Sequence, residues 1–291
     1  MTGLRIGWVG LGAMGGPMAR VAVEAGFEVT GFDVAADAVA TLAAAGGRIA
    51  GSPAEAAQTA DVLVLMVATP GQAEAVLFGD GGAASALRPG SIVLVMATVG
   101  DTAVRSWAER LADSDIAVVD APVSGGVERA AAGELLVMVA GSEGEIARVR
   151  PLLDALAASA PVVGAESGDG QRMKLVNQLL CGVHIVAAAE ALSFAEALGL
   201  DPRAAWEVVR QGAARSFMLD DRGARMLDEA PPVRSAVDIF VKDMGLVVEA
   251  AESAAHEPVL ARAARTVFGT ARDRGLGRRD DSAVIEIYRK L

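Results

Sequence analysis

Gly10-Leu11-Gly12-Ala13-Met14-Gly15 falls between a short apolar run, Leu4–Val9, and an Ala-rich stretch that reads as helix from near residue 14. No other feature of the chain constrains its fold as much. In a G-x-G-x-x-G set between strand and helix, the first glycine permits a tight turn and the second lets the backbone approach a pyrophosphate. The third allows strand and helix to pack closely, and the N–H groups at the helix start face the phosphates. The same spacing also occurs in ordinary glycine turns. Asp33 favours the nucleotide reading, because it ends the second apolar run 18 residues after Gly15. A carboxylate there accepts hydrogen bonds from the ribose hydroxyls of a dinucleotide and repels a 2′-phosphate. Val34, Ala35 and Ala36 come next, with no arginine to receive that phosphate. NAD is therefore expected over NADP, held by Gly10, Leu11, Gly12, Ala13, Met14, Gly15 and Asp33.

The pattern continues through the first 160 or so residues. Glu28–Asp33, Asp61–Val67, Ser91–Met96 and Ile116–Asp120 are short and rich in β-branched residues, and helical stretches near 14–25, 35–45, 70–77 and 101–113 separate them. Such alternation predicts βαβ units and a parallel sheet covered on both faces, a Rossmann-type domain. Glu134–Ala140 reads as a further strand of that sheet, followed by a helix near 143–157. The remainder changes character. One long helix is predicted over about 168–198, apolar almost all round from Leu179 to Phe194, with helices near 202–212, 216–228, 235–254, 258–274 and 281–289. A helix apolar on most faces belongs inside a bundle or between subunits. The expected fold is thus α/β with an all-α C-terminal domain joined by the long helix: residues 1–163 bind the dinucleotide, and 164–291 form a helical substrate and oligomerisation domain.

Composition removes several function classes. The chain has 291 residues, 26 basic against 37 acidic, and a net charge of −11, so it lacks the basic face that nucleic acid or an anionic membrane requires. Its longest uncharged stretch, Leu175–Ala189, carries Asn177, Gln178 and His184 and is shorter than the roughly 20 apolar residues of a membrane span. Arg5 and the run Ile6–Ala19 superficially suggest a signal peptide, but the glycines break its apolar helix and no A-x-A site follows. The single cysteine, Cys181, excludes an internal disulfide and fits the cytoplasm. With two histidines, His184 and His256, no metal site is expected.

Of the basic residues only Lys174, Lys242 and Lys290 are lysines. Arginine does not exchange protons near neutral pH, whereas a lysine in a low-dielectric site does. Lys174 on the long apolar helix is therefore a candidate acid/base, while Lys290 reads as a solvated chain end. Asn177 and Gln178 follow Lys174 at i+3 and i+4, on one helix face, where an amine and two amides can hold a hydroxyl and a carboxylate. A polar helix end gives the same spacing. Ser124-Gly125-Gly126, just beyond the fifth strand, reads either as an anion-binding loop or as a bare turn. Arg215-Ser216-Phe217-Met218 is a candidate to close a pocket from the helical part. The clusters Arg272-Asp273-Arg274 and Arg278-Arg279-Asp280-Asp281 alternate in sign and are expected on a solvated or subunit-facing surface.

Four segments together resemble the β-hydroxyacid dehydrogenases: Ile6–Ala19, Asp120–Gly133, Gly170–Gln178 and Phe240–Leu246. This family includes 3-hydroxyisobutyrate dehydrogenase, tartronate semialdehyde reductase and glyoxylate reductases. The resemblance runs in order from about residue 4 to 289. Arg234–Val247, Gly182–Glu190 and Asp280–Ile285 are most similar to the L-threonate dehydrogenases of the family. It implies an NAD-dependent dehydrogenase acting on the CH–OH group of a short hydroxy acid such as L-threonate, 3-hydroxyisobutyrate or glycerate. Lys174 matches the catalytic lysine, Ser124, Gly125 and Gly126 the substrate-carboxylate loop, and Asn177 and Gln178 the amide pair beyond the lysine. Val67, Ala68, Thr69, Thr98 and Lys242 match cofactor contacts. A homodimer or homotetramer is implied as well. Ala97 stands where the family commonly has serine, and Gln178 where asparagine is common. The alternative is an NADPH-dependent reductase of aldehydes (glyoxylate or succinic semialdehyde) or imines on the same fold, but imine reductases generally lack the lysine. A non-catalytic nucleotide-binding protein is the third reading.

Overall fold

The computed structural model describes residues 3–289, and the chain divides between Lys174 and Leu175 into two compact units. Lys290 lies outside the described residues. In the first unit the strands are β1 (Arg5–Val9), β2 (Glu28–Phe32), β3 (Arg48–Ile49), β4 (Val62–Leu65), β5 (Ile92–Val95) and β6 (Ala117–Asp120). The chain continues through β7 (Val123–Ser124), β8 (Leu135–Val137), β9 (Val139–Ala140), β10 (Ala157–Ser159) and β11 (Val162–Gly164). Eight of them form one sheet, in the order β11-β9-β6-β5-β4-β1-β2-β3, parallel except where β9 meets β6.

Period-2 geometry explains why its central strands read as continuous apolar runs. Val62 and Val64 of β4 enter one core with Trp8, Met18 and Leu94, while Leu63 and Leu65 enter a second core with Val93, Val95 and Trp107. The register aligns Phe32 with Val9, Val9 with Leu65, Leu65 with Val95 and Val95 with Asp120. The carboxyl ends of β2, β1, β4, β5 and β6 therefore form one edge, the place where open α/β sheets bind ligands. Helices α1 (Gly15–Glu24), α2 (Ala36–Ala44), α3 (Pro53–Ala57), α4 (Pro70–Phe78), α5 (Asp101–Ala112), α6 (Gly126–Ala132) and α7 (Glu143–Leu156) connect the strands.

One predicted strand changes. Glu134–Ala140 does not simply extend the sheet: it switches partners at Met138, whose N–H donates to the Pro122 carbonyl at 3.0 Å. Before that point β8 joins β7 and β10 in a separate three-stranded sheet, and after it β9 pairs antiparallel with β6.

The long helix α8 (Asp169–Ala197) leads into the second unit, with α9 (Pro202–Val209), α10 (Phe217–Met226), α11 (Val237–Ser253) and α12 (Val259–Ala271). The predicted helix at 281–289 is a 3-10 segment over Asp281–Ile287. By length and composition α8 could cross a membrane, yet half of its apolar window is buried inside the protein. Ile185, Ala189 and Leu192 pack with Phe240, Met244 and Val248 of α11 and Phe268 of α12, and the rings of Phe240 and Phe268 stack at 5.1 Å.

The second charge cluster is divided: Arg278 and Arg279 are exposed as expected, whereas the two aspartates are not solvated. Asp280 and Asp281 are 2% and 0% exposed. Asp281 lies 3.0 Å from Arg222 and 3.2 Å from Arg225, and Arg225 also reaches Asp280 at 2.9 Å. The neutralising charges come from Arg222 and Arg225 of α10 and not from the arginines of the cluster itself. Removing one partner of a buried ion pair leaves uncompensated charge. Asp281→Ala should therefore lower unfolding stability by about 3–5 kcal/mol, measured by urea denaturation; a change below about 1 kcal/mol, the value of a surface pair, would contradict this packing.

Candidate active site

The three glycines of the loop after β1 answer to three different constraints. Gly10 has φ +95°, and a methyl group on it would stand 2.4 Å from the Met66 carbonyl oxygen. On Gly15 a methyl would lie 1.9 Å from the Gly10 carbonyl oxygen, so α1 begins flush against the end of β1. A methyl on Gly12 would meet no protein atom within 4 Å. The protein itself does not require glycine at position 12; close approach of a pyrophosphate to the backbone does. In the first turn of α1, Gly16 and Met18 donate to the Gly12 and Met14 carbonyls and Pro17 has no N–H, so the Gly15 N–H is the helix donor suited to a phosphate oxygen. The loop thus fits a dinucleotide.

Asp33, the residue expected at the ribose, braces this loop. Its Oδ2 accepts the Leu11 N–H at 2.6 Å and its Oδ1 the Ala35 N–H at 2.8 Å. Each oxygen keeps a second lone pair for a hydroxyl. The Leu11 side chain is buried in the core, so that residue shapes the loop from beneath, while Ala13 is exposed and Met14 half-buried.

Further along the edge, Val67-Ala68-Thr69 leads from β4 to α4. Thr69 caps that helix: its Oγ1 accepts the Gln72 N–H, and Gln72 Oε1 accepts the N–H groups of Ala68 and Thr69 at 3.0 and 3.1 Å. Thr98 is half-buried just past β5. Ser124 ends β7, and Gly125 and Gly126 follow with φ of +138° and +76°. A methyl on Gly125 would press on Arg129 at 2.9 Å, whereas on Gly126 it would meet nothing within 4 Å.

Lys174 lies in the second turn of α8 and is 6% exposed, an ammonium-bearing side chain largely withdrawn from water. Three residues before it is Gln171, fully buried, which the sequence did not single out. Asp120, at the end of β6 and also 0% exposed, accepts the Gln171 N–H on Oδ2 and the Gln171 Nε2–H on Oδ1, both at 2.8 Å. Burial pushes the Asp120 carboxyl up to about 6, against the lowering effect of these hydrogen bonds.

In the second unit, Asn177, Gln178 and Lys242 are joined through a residue the sequence also passed over. Asn177 Nδ2 donates to Gln178 Oε1 at 2.8 Å. Gln178 Nε2 donates to Asp243 Oδ2, and Lys242 Nζ lies 2.9 Å from Asp243 Oδ1. Asp243 is 2% exposed on the face of α11 that carries Phe240, Met244 and Val247. An acidic residue within that apolar i, i+3, i+4, i+7 pattern was the available signal. Cys181 borders the same group, accepting from Asn177 Nδ2 at 3.3 Å. In the Arg215–Met218 stretch, Ser216 caps α10 and Arg215 pairs with Asp220 at 2.7 Å. Among the described residues, no group of three or more His, Cys, Asp or Glu side chains is placed to hold a metal ion.

Known proteins match along the whole chain. Residues 5–164 match the NAD binding domain of 6-phosphogluconate dehydrogenase, and 168–288 the NAD-binding domain of NADP-dependent 3-hydroxyisobutyrate dehydrogenase. L-threonate dehydrogenase of Cupriavidus necator is 41% identical over 283 residues, covering 97% of this chain and 95% of that protein. The crystal structure of a 3-hydroxyisobutyrate dehydrogenase from Salmonella typhimurium superposes with a TM-score of 0.93 at 40% identity, over 98% of this chain and 99% of that one. An imine reductase from Streptomyces aurantiacus, with a TM-score of 0.67 at 21% identity over 98% and 100% of the two chains, shares the fold alone.

Two expectations follow from this geometry. Asp33→Ala removes both the ribose acceptor and the loop brace. It should weaken NAD binding and narrow the NAD-over-NADP preference by about tenfold, or about 1.4 kcal/mol, in fluorescence titrations with the reduced cofactors; an unchanged ratio would place selection elsewhere. Asp120 has a folded-state value of about 6, above the ordinary 3.8, so its contribution to stability is fully present below pH 3.8 and lost as pH rises through 6. The stability of Asp120→Asn relative to the parent, from urea denaturation, should accordingly improve between about pH 4 and pH 7. A difference that stays flat across that interval would contradict the burial of a titrating carboxyl.

Proposed function

This chain belongs to the β-hydroxyacid dehydrogenase family, and we propose that within it the enzyme oxidises L-threonate with NAD, using Lys174 to take the hydroxyl proton. It is an NAD(P)-dependent oxidoreductase of a small hydroxy acid. One observation carries the finer reading: the scarce lysine at position 174 is 6% exposed on α8, three residues beyond the amide fastened to the end of β6.

When bound, NAD would supply the hydride acceptor for the substrate carbinol carbon. The protein's part is to hold the substrate and move the proton. Ser124 and the N–H groups of Gly125 and Gly126 hold the carboxylate. The Lys174 amine accepts the O–H proton as the C–O bond becomes a carbonyl, so the alcohol yields a ketone, a reduced cofactor and one proton on Lys174. L-threonate is the substrate chosen among the short hydroxy acids. The identity to an L-threonate dehydrogenase supports this choice. NAD is preferred through Asp33. Reduction of imines with NADPH is disfavoured by Lys174 and Asp33 together.

The enzyme is assigned to the cytoplasm as a homodimer or homotetramer. Val176, Leu180, Phe194 and Leu198 of α8 are 51–62% exposed, and a second copy of the chain would cover them.

The reading is tested by absorbance of the reduced cofactor, with NAD or NADP and a panel of L-threonate, 3-hydroxyisobutyrate, glycerate and L-serine. L-threonate with NAD should give the highest kcat/KM, by about tenfold or more over NADP. A higher value on another member would reassign the substrate, and no turnover with either cofactor would overturn the reading.

A further inference from the structure

The Gln171 side chain makes every hydrogen bond a primary amide can make. Its two Nε2 hydrogens go to Asp120 Oδ1 at 2.8 Å and the Ala97 carbonyl at 3.1 Å. Its Oε1 accepts the N–H groups of Val99 at 2.9 Å and Gly100 at 3.1 Å. An amide has two donors and two acceptor lone pairs, so the group is saturated. All of this is fully buried, where each lost partner costs most.

The partners are not scattered. Ala97, Val99 and Gly100 flank Thr98, assigned to the cofactor. Asp120 closes β6 and is followed by Ala121-Pro122-Val123, which leads to Ser124, assigned to the substrate carboxylate. Gln171 itself lies one turn before Lys174 on α8. A second bond from Asp120 Oδ2 to the Gln171 N–H fixes the helix backbone as well as the side chain. One amide thus ties together the three segments that carry the cofactor, substrate and proton-transfer groups. A helix needing only an anchor would be served by apolar packing, as at Ile185 and Leu192 farther along α8.

We infer that Gln171, clamped by Asp120, is a positioning residue for the reaction: it sets the depth and rotation of the first turns of α8, and so the place of the Lys174 amine. This rests on the assignment of Lys174 as the proton acceptor. A catalytic group displaced by about 1 Å can cost about 100-fold in rate. Ground-state binding by the other segments changes less, so the loss falls on kcat.

The test uses the full-length enzyme with L-threonate, and in parallel L-serine and 3-hydroxyisobutyrate, as oxidisable substrates. Gln171→Met keeps the length and removes all four bonds. It should lower kcat by about tenfold or more while KM and the Kd for NAD stay within about threefold. Gln171→Glu sets a second carboxyl against Asp120 and should lose more. Combining it with Asp120→Asn exchanges the two groups and restores their mutual hydrogen bond, so kcat should recover by about tenfold over Gln171→Glu alone. The exchanged pair also carries the test if the Met variant fails to fold. A kcat within about twofold of the parent in Gln171→Met, or no recovery in the exchanged pair, would overturn the inference. Lys174→Ala separates the two levels: near-normal turnover there would remove the proton acceptor and this proposal together. Lost turnover there with an active Gln171→Met would remove the positioning role alone.

Discussion

The end of β1 and the start of α1 are so close that the α-carbon of Gly15 leaves only 1.9 Å between the Gly10 carbonyl oxygen and the point where a Cβ would stand. Much of the first unit depends on that contact. It lets α1 leave the sheet edge directly, with Met18 and Ala22 descending into the core beneath Trp8. It also leaves the loop little freedom, which Asp33 then removes by accepting the Leu11 N–H. The same close packing sets the helix start at the sheet edge, a position suited to an anion.

Three buried carboxylates organise what lies around that framework, each neutralised by different chemistry. Asp120 takes two N–H bonds from one glutamine, Asp243 takes an amide and lies beside an ammonium, and Asp281 takes two guanidinium groups. A charge in a low-dielectric interior is tolerated only when it is paired or hydrogen-bonded. Each of these residues therefore fixes its partners' positions. Asp281 stabilises the interior of the second unit. Asp120 and Asp243 instead hold residues assigned to the reaction: the turn before Lys174 in one case, and Gln178 with Lys242 in the other.

The βαβ framework was legible because buried parallel strands are apolar on both faces and helices of ten or so residues intervene. The glycine loop and Asp33 were legible because their spacing is local. What escaped has a common cause. Gln171 and Asp120 are 51 residues apart, and Gln178 and Asp243 are 65 apart, so no local pattern announces either pair. Asp280 and Asp281 were misread because their partners, Arg222 and Arg225, lie 55 to 59 residues away, while the adjacent Arg278 and Arg279 are exposed as expected. The split of Glu134–Ala140 at Met138 depends on a carbonyl of Pro122, again outside the run itself. The catalytic lysine assignment drew on the scarcity of lysine in an arginine-rich chain and on family resemblance.

The proton-transfer role of Lys174 is tested most directly by chemical rescue. Lys174→Ala would be assayed with L-threonate and NAD while small primary amines are added. Turnover should fall by orders of magnitude with NAD binding retained, then rise with the concentration of methylamine or ethylamine in their neutral forms. Turnover close to that of the parent enzyme without any added amine would contradict the assignment.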